Sequence, residues 1–382
     1  MPLRRMHNIE DLRRAARAYL PRLVWDYFEG GVEDELCLQR NRSAYEAVDL
    51  LPRYLIDVST PDTRISLLGK TWRSCFGIAP MGLQGFARAG ADAMLARAAA
   101  ANGLPFVLSG AGTASVESIR AVAGEHAWFQ LYVAKDKAVT RDLLRRAHDS
   151  GIEVLVLTVD APVHSKRERD LRNGFVPPPH IRWPLLLEML RHPSWCLDML
   201  RHGMPRFENW APYAGAEAGA QAIADYFSQQ IPFTQTWQDL AELRQEWPGQ
   251  LVLKGLLAPA DAVRAAAVGV DALILSNHGG RVLDSAPSPL TQLPLVRAAV
   301  GAEMPLMIDS GIRRGSDIVK ALLQGADFVW IGRPALYGVA AYGQAGAEHA
   351  IAILQKELEL TLAQIGCMRV SALATNNVHT LM

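Results

Sequence analysis

Eight short β-rich runs, each followed by a helix-like segment rich in Ala, Leu and Arg, constrain this chain more than any other feature. The runs cover residues 76–80, 104–109, 127–132, 153–160, 251–254, 272–277, 305–309 and 327–332. Their ends recur at steps of 23 to 32 residues, apart from one step of 94 between residues 160 and 254. A regular strand–helix repeat with one outlier is a repeated unit carrying an insertion. Eight such units are what a closed parallel barrel requires. The predicted fold is therefore α/β, a (β/α)8 TIM barrel with an N-terminal helical segment and a large insertion after strand 4. Residues 1–382 read as one domain, and residues 177–215 as a segment set into it. Ahead of the barrel, residues 7–30 predict two short helices divided at Pro21, with Tyr27 on the second.

In such a barrel the reactive side chains stand at the C-terminal ends of the strands. Here those ends carry Ser109, Gln130, Tyr132, Thr158, Asp160, Lys254, His278, Asp309 and Arg333. Gln130 with Tyr132, Thr158 with Asp160, and Ser276 with His278 are each two apart, so a regular strand turns each pair to one face. All six are expected to line the barrel mouth. Any one of them is equally a satisfied polar group in a turn; the set as a whole is not so easily explained. The hexamer Ser276-Asn277-His278-Gly279-Gly280-Arg281 stands out, because its glycines let the chain bend until imidazole and guanidinium face one pocket. A base beside a fixed cation suits the deprotonation of a small anionic substrate.

Composition agrees with a small ligand. Lys plus Arg (39) balance Asp plus Glu (39), so nothing global draws the chain to nucleic acid. Cys37, Cys75, Cys196 and Cys367 lie far apart, which fits neither a zinc site nor a disulfide framework and suggests a reducing compartment. The first residues lack a signal-peptide apolar run, and no apolar stretch approaches the roughly 20 residues that span a bilayer. A cytoplasmic location is expected. The inserted segment is different in kind: residues 180–210 combine Trp183, Trp195 and Trp210 with a Leu/Met face and Arg182, Arg191, Arg201 and Arg206. That pattern suits a helix lying in a membrane interface, and it also suits an active-site lid or a subunit contact.

Five motifs, in order, resemble the FMN-dependent 2-hydroxy acid dehydrogenase and oxidase family: residues 129–132 (FQLY), 157–160 (LTVD), 276–281 (SNHGGR), 309–315 (DSGIRRG) and 331–334 (IGRP). The resemblance covers about residues 12 to 367. It implies a barrel holding FMN. Pro80, Met81 and Gly82 would contact the flavin through the backbone, and Ser109, Gln130, Thr158 and Ser276 would meet its ring. Lys254 would stabilise the charge of the reduced ring, Asp309 would hold the ribityl chain, and Gly311, Arg313, Gly332 and Arg333 would take the phosphate. Arg167, Arg281 and Tyr27 are implied around the substrate's carboxylate, with Tyr132 at its 2-hydroxyl. His278 is implied as the base and Asp160 as the stabiliser of the imidazolium. Whether His278 takes the α-proton or the hydroxyl proton stays open. The family usually has threonine where Met81 stands, which removes a hydroxyl contact to the flavin, and often arginine where Lys166 stands.

Within the family the likeness is greatest to its membrane-associated (S)-mandelate dehydrogenase branch, through residues 192–195, 197–198 and 201–205 of the insert. It implies oxidation of (S)-mandelate to benzoylformate, a quinone as electron acceptor, peripheral contact with the inner face of the cell membrane, and a homotetramer. Ala111 replaces the bulky tryptophan of glycolate oxidase and leaves volume for a phenyl ring. L-lactate or a broader range of 2-hydroxy acids, oxygen as acceptor, and a non-redox phosphate-binding barrel are the alternatives.

Overall fold

The computed structural model describes residues 2–174, 188–215, 217–231, 234–373 and the backbone of 380–381. Strands β4 (Phe76–Ile78), β5 (Phe106–Ser109), β6 (Ala127–Leu131), β7 (Val154–Thr158), β8 (Gln250–Leu256), β9 (Ala272–Leu275), β10 (Leu306–Ile308) and β11 (Phe328–Ile331) pair in parallel, each with the next. β11 returns to β4 and closes the barrel. All eight expected runs are strands of this barrel. The insertion falls between β7 and β8, as the long step required.

Two antiparallel pairs stand outside it: β1 (Asp49–Leu50) with β12 (Thr380–Leu381), and β2 (Ile65–Leu67) with β3 (Lys70–Trp72). Three helices precede the barrel, α1 (Ile9–Tyr19), α2 (Arg22–Glu29) and α3 (Leu36–Glu46). Asn8 caps α1 through the amide of Asp11, and Pro21 starts α2, so the expected break falls where proline dictates. The outer ring contains α4 (Ala91–Ala101), α5 (Val116–Ala123) and α6 (Lys137–Asp149). After β7 come α7 (Glu168–Asn173), α8 (Pro193–His202), α9 (Ala220–Gln230) and α10 (Trp237–Glu246). Then follow α11 (Pro259–Val268), α12 (Pro289–Val300), α13 (Gly315–Leu323) and α14 (Arg333–Gln364).

Period-two alternation divides every barrel strand between two cores. Phe106, Leu108, Phe129 and Leu155 face the helices, whereas Val107, Trp128, Val156, Val252, Ile274, Met307 and Trp330 fill the barrel interior. Trp128 and Trp330 meet edge to face at 5.0 Å, and Trp72 of the β2–β3 hairpin closes the lower end against Trp128. Burying a side chain of this size contributes about 1.5–3 kcal/mol. Two residues further along the same inward rows stand Ser109, Gln130, Thr158, Lys254, Ser276 and Asp309, all buried. The interior is thus an apolar plug capped by a polar layer.

α14 is two helical arms, joined where Tyr342 and Gly343 leave helical geometry and Gly343 takes φ +64°. The arms approach so closely that a Cβ on Gly346 would overlap the Gly338 carbonyl. Gly346→Ala is expected to cost about 1–3 kcal/mol through overpacking, read as a lower midpoint in denaturant unfolding; an unchanged midpoint would show that the arms can part freely.

Candidate active site

The polar layer forms the floor of a cavity of about 510 Å³ at the C-terminal mouth of the barrel. Pro80, Met81, Gly82, Ser109, Gln130 and Thr158 line it on one side, and Lys254, Asp309, Gly311, Arg313, Gly332 and Arg333 on the other. Tyr27, Tyr132, Arg167, His278 and Arg281 line it as well. Two of the expected residues do not. Ser276 is fully buried behind Lys254, because β9 ends at Leu275 and the chain has already begun to turn. Its hydroxyl accepts from Lys254 Nζ at 2.8 Å and from the His278 amide at 3.0 Å. Asp160 stands behind His278, outside the cavity lining.

The loop after β9 explains how His278 reaches the mouth. His278, Gly279 and Gly280 take φ of +58°, +66° and +76° in succession. The left-handed region is uncommon for a side chain such as histidine and marks a position held by its surroundings. What holds it is on both sides. Asn277 and Asn41 of α3 exchange side-chain hydrogen bonds at 2.6 and 2.9 Å, and Asp160 Oδ1 lies 2.9 Å from His278 Nδ1. A Cβ on Gly280 would come within 2.8 Å of the Leu38 backbone, so only glycine fits under α3 there.

Lys254 is buried between Asp309 Oδ2, at 2.9 Å, and Ser276. Burial opposes its charge, but Asp309 and Asp160 outweigh that and hold the ammonium above its ordinary value. Gln130 Oε1 accepts from Ser109 Oγ at 3.0 Å and from the Gly110 amide at 3.2 Å. Its Nε2, buried in the same polar floor, has no partner among the described residues. An orphaned donor in a cavity floor is a place for a ligand's acceptor.

At the other end, Arg167 and Arg281 lie with their guanidinium carbons 5.5 and 5.1 Å from the Tyr27 ring. Burial, then the like charge of Arg167, push Arg281 down to about 9 against the weaker pull of Tyr27 and Asp170, so it stays charged at neutral pH. Burial, followed by Asp160 and Tyr27, raises the Tyr132 phenol well above its ordinary value and keeps it a neutral donor. Arg333 spends its donors on the carbonyls of Phe28, Glu29, Gly30 and Gly279, whereas the Arg313 side chain donates only to the Ile312 carbonyl among the described residues. Of the two expected phosphate ligands, Arg313 keeps the freer donors.

Sequence reasoning passed over part of the lining. Asp170 of α7 reaches the cavity beside Arg167, Nη1 to Oδ2 being 3.5 Å; its position three residues on in a helix was the available signal. Phe207 and Phe227, stacked at 4.5 Å, form part of the roof, and no sequence pattern marked them.

The sequence and the fold recur in known proteins. A family model described as FMN-dependent dehydrogenase matches residues 16–380. This chain belongs to the FMN-dependent dehydrogenase family. Its relatives include (S)-mandelate dehydrogenase of Pseudomonas putida, 41% identical over 369 residues that cover 97% of this chain and 93% of that one. L-lactate oxidase of Nostoc sp. is 41% identical over 376 residues, covering 97% and 98%. Among solved structures, that of a monotopic membrane protein, (S)-mandelate dehydrogenase, superposes with a TM-score of 0.94 at 40% identity, covering 98% of this chain and 99% of that one. The chain is thus an FMN-dependent 2-hydroxy acid-oxidising enzyme, and its cavity fits the cofactor. The orphaned Gln130 amide offers a donor to a polar ring edge, and Arg313 has donors to spare for a phosphate.

Asp160 supplies a pH signature of the site. Burial works to raise its pKa, but the facing His278, with Lys254 beyond, holds it below its ordinary value. A carboxyl depressed on folding contributes stability above its ordinary range and loses that contribution as pH falls through its folded value. Asp160→Asn is therefore expected to lower the unfolding free energy of the holoenzyme at about pH 7, with a smaller gap to wild type at a pH below the ordinary carboxylate range. Denaturant titrations at both pH values check this, and a gap independent of pH would remove the ionised Asp160 from the account.

Proposed function

We propose that this enzyme oxidises (S)-mandelate to benzoylformate and passes the electrons to a membrane quinone. The observation that carries the reading is the Asp160-held His278 sharing one cavity with Arg167, Arg281 and two tyrosines. FMN, when bound, supplies the two-electron acceptor for the substrate's α-carbon. Pro80, Met81, Gly82, Ser109, Gln130, Thr158 and Lys254 would hold its ring, Asp309 its ribityl chain, and Gly311, Arg313, Gly332 and Arg333 its phosphate. Ser276 acts one step removed, by fixing Lys254 and the His278 amide.

The two guanidinium groups take both oxygens of the substrate carboxylate and so choose the face of the α-carbon turned to the ring. Tyr27 adds a phenol at the carboxylate, and the neutral Tyr132 donates to the 2-hydroxyl. Because Nδ1 of His278 is committed to Asp160, Nε2 is the nitrogen that receives the substrate's proton. Asp160 then stabilises the imidazolium. The small Ala111, beside Gly82 at the rim, leaves room for a phenyl group. The equal identity to an L-lactate oxidase supports a second reading, L-lactate as substrate with oxygen as acceptor.

The segment 188–210 supports membrane contact, though not as its tryptophans suggested. Trp195 and Trp210 are buried and donate to the carbonyls of Phe86 and Gly110, both at 2.8 Å. The indoles are anchors, because each N–H finds a carbonyl on a barrel loop. The exposed apolar face consists of Leu190, Leu197, Leu200 and Met204, with Arg191 and Arg201 beside it. A face of this kind lies in a bilayer interface. Trp183 and Arg182 fall outside the described residues. No described helix is long and apolar enough to cross a membrane. The expected homotetramer stays part of this proposal.

Anaerobic mixing with a panel of 2-hydroxy acids tests the substrate: (S)-mandelate is expected to bleach the flavin faster than L-lactate, and the reverse order would favour the second reading. His278→Ala should keep its flavin and lose turnover by about 10²–10⁴-fold, and near-normal turnover would remove His278 as the base. Leu197→Gln with Leu200→Gln should move the protein from the membrane fraction to the supernatant while reduction by substrate persists. Unchanged fractionation would sink the interfacial role of α8.

A further inference from the structure

The acid end of the cavity holds one charge that the mechanism does not use. Asp170, buried on α7, lines the cavity and pairs among the described residues only with Arg167. Arg281 also acts on it, and burial raises its carboxyl above the ordinary range. The other charges nearby are already answered. Lys254 faces Asp309, Asp160 faces His278, and Asp26 lies 3.3 Å from Arg22 and 3.7 Å from Arg169. Arg333 has Glu29 and Glu35 as opposing charges. Among the described residues, Arg167 and Arg281 against Asp170 leave one positive charge over at this end.

We propose that Asp170 sets the charge of the acid that the cavity accepts, so that it admits 2-hydroxy monocarboxylates and turns away 2-hydroxy dicarboxylates. The inference rests on the reading of Arg167 and Arg281 as the seat of the substrate carboxylate. A monoacid brings one negative charge and closes the balance. A diacid brings two, and the second has no cation of its own and stands in the field of the Asp170 carboxylate, which repels like charge across a cavity of low dielectric. Selectivity of this kind comes from a repulsive element built beside the attractive ones. Asp170 is here a specificity-determining residue that acts through the field at the site, with no part in proton or electron transfer.

The test compares 2-hydroxysuccinate with its 4-carboxamide, which has nearly the same shape and one charge less. Anaerobic titration of the holoenzyme, followed by flavin absorbance, gives an apparent Kd and a limiting rate for each. Wild type is expected to bind the amide at least about tenfold more tightly, a difference of about 1.4 kcal/mol. Asp170→Asn should bring the two within about threefold, through tighter binding of the diacid and not through a faster limiting rate. Equal binding of the pair by wild type overturns the proposal whether or not the variant folds, and so does an unaltered ratio in Asp170→Asn or Asp170→Ser. Arg167→Met and Arg281→Met separate the two levels of the argument. If neither weakens carboxylate binding, the seat itself has been misassigned; if both do and the ratio ignores Asp170, only this inference falls.

Discussion

Two arginines from different loops of the barrel mouth spend their donors on one helix end. Arg281, after β9, donates to the carbonyls of Tyr27 and Gly30, and Arg333, after β11, to those of Phe28, Glu29 and Gly30. The last carbonyls of a helix have no partner of their own and carry its negative dipole end, so a buried guanidinium is a fitting cap. The arrangement serves both sides. The arginines escape the full cost of burial, and α2 is fixed over the mouth with Tyr27 turned into the cavity. Glu29 takes part from beneath: burial would raise its carboxyl, but Arg333, the Tyr337 hydroxyl and Arg13 hold it below its ordinary value.

The barrel proper follows a simpler rule. On β5 to β10 the inward row is apolar and then polar at the next inward position, so the layer that carries the chemistry rests on a close-packed apolar floor. Trp330 shows the join, since it packs against Trp128 below and lines the cavity above. A buried Lys254–Asp309 pair on such a floor is costly to desolvate and does little for stability by itself. Its position beside the orphaned Gln130 amide makes sense as a preformed polar surface for a ring.

Much of this was legible in the chain because period two and a repeat of about two dozen residues are geometric properties of βα units. All eight strands and the long insertion follow from those periods, and the break at Pro21 follows from the proline itself. Ser276 was misplaced because the rule assumes a strand that continues, and β9 stops one residue short of it. Trp195 and Trp210 were misread because composition records that an aromatic is present, not which way its N–H finds a carbonyl. Phe207 and Phe227 reach the roof through the packing of α9, which leaves no local pattern. Asp170 was legible three residues beyond Arg167, where one helical turn brings a carboxylate to the arginine.

The four thiols have unequal fates. Cys37, Cys75 and Cys367 are buried, and burial lifts the first to about 11 and the second to about 12. Thiol-directed dyes need the thiolate, so these sites answer slowly. Cys196 alone is partly exposed; burial raises its thiol as well, and it sits on α8 between the anchoring Trp195 and the outward Leu197. The native chain thus carries a single addressable sulfur at the edge of its apolar face, where an environment-sensitive fluorophore would register the polarity of whatever surface the helix meets.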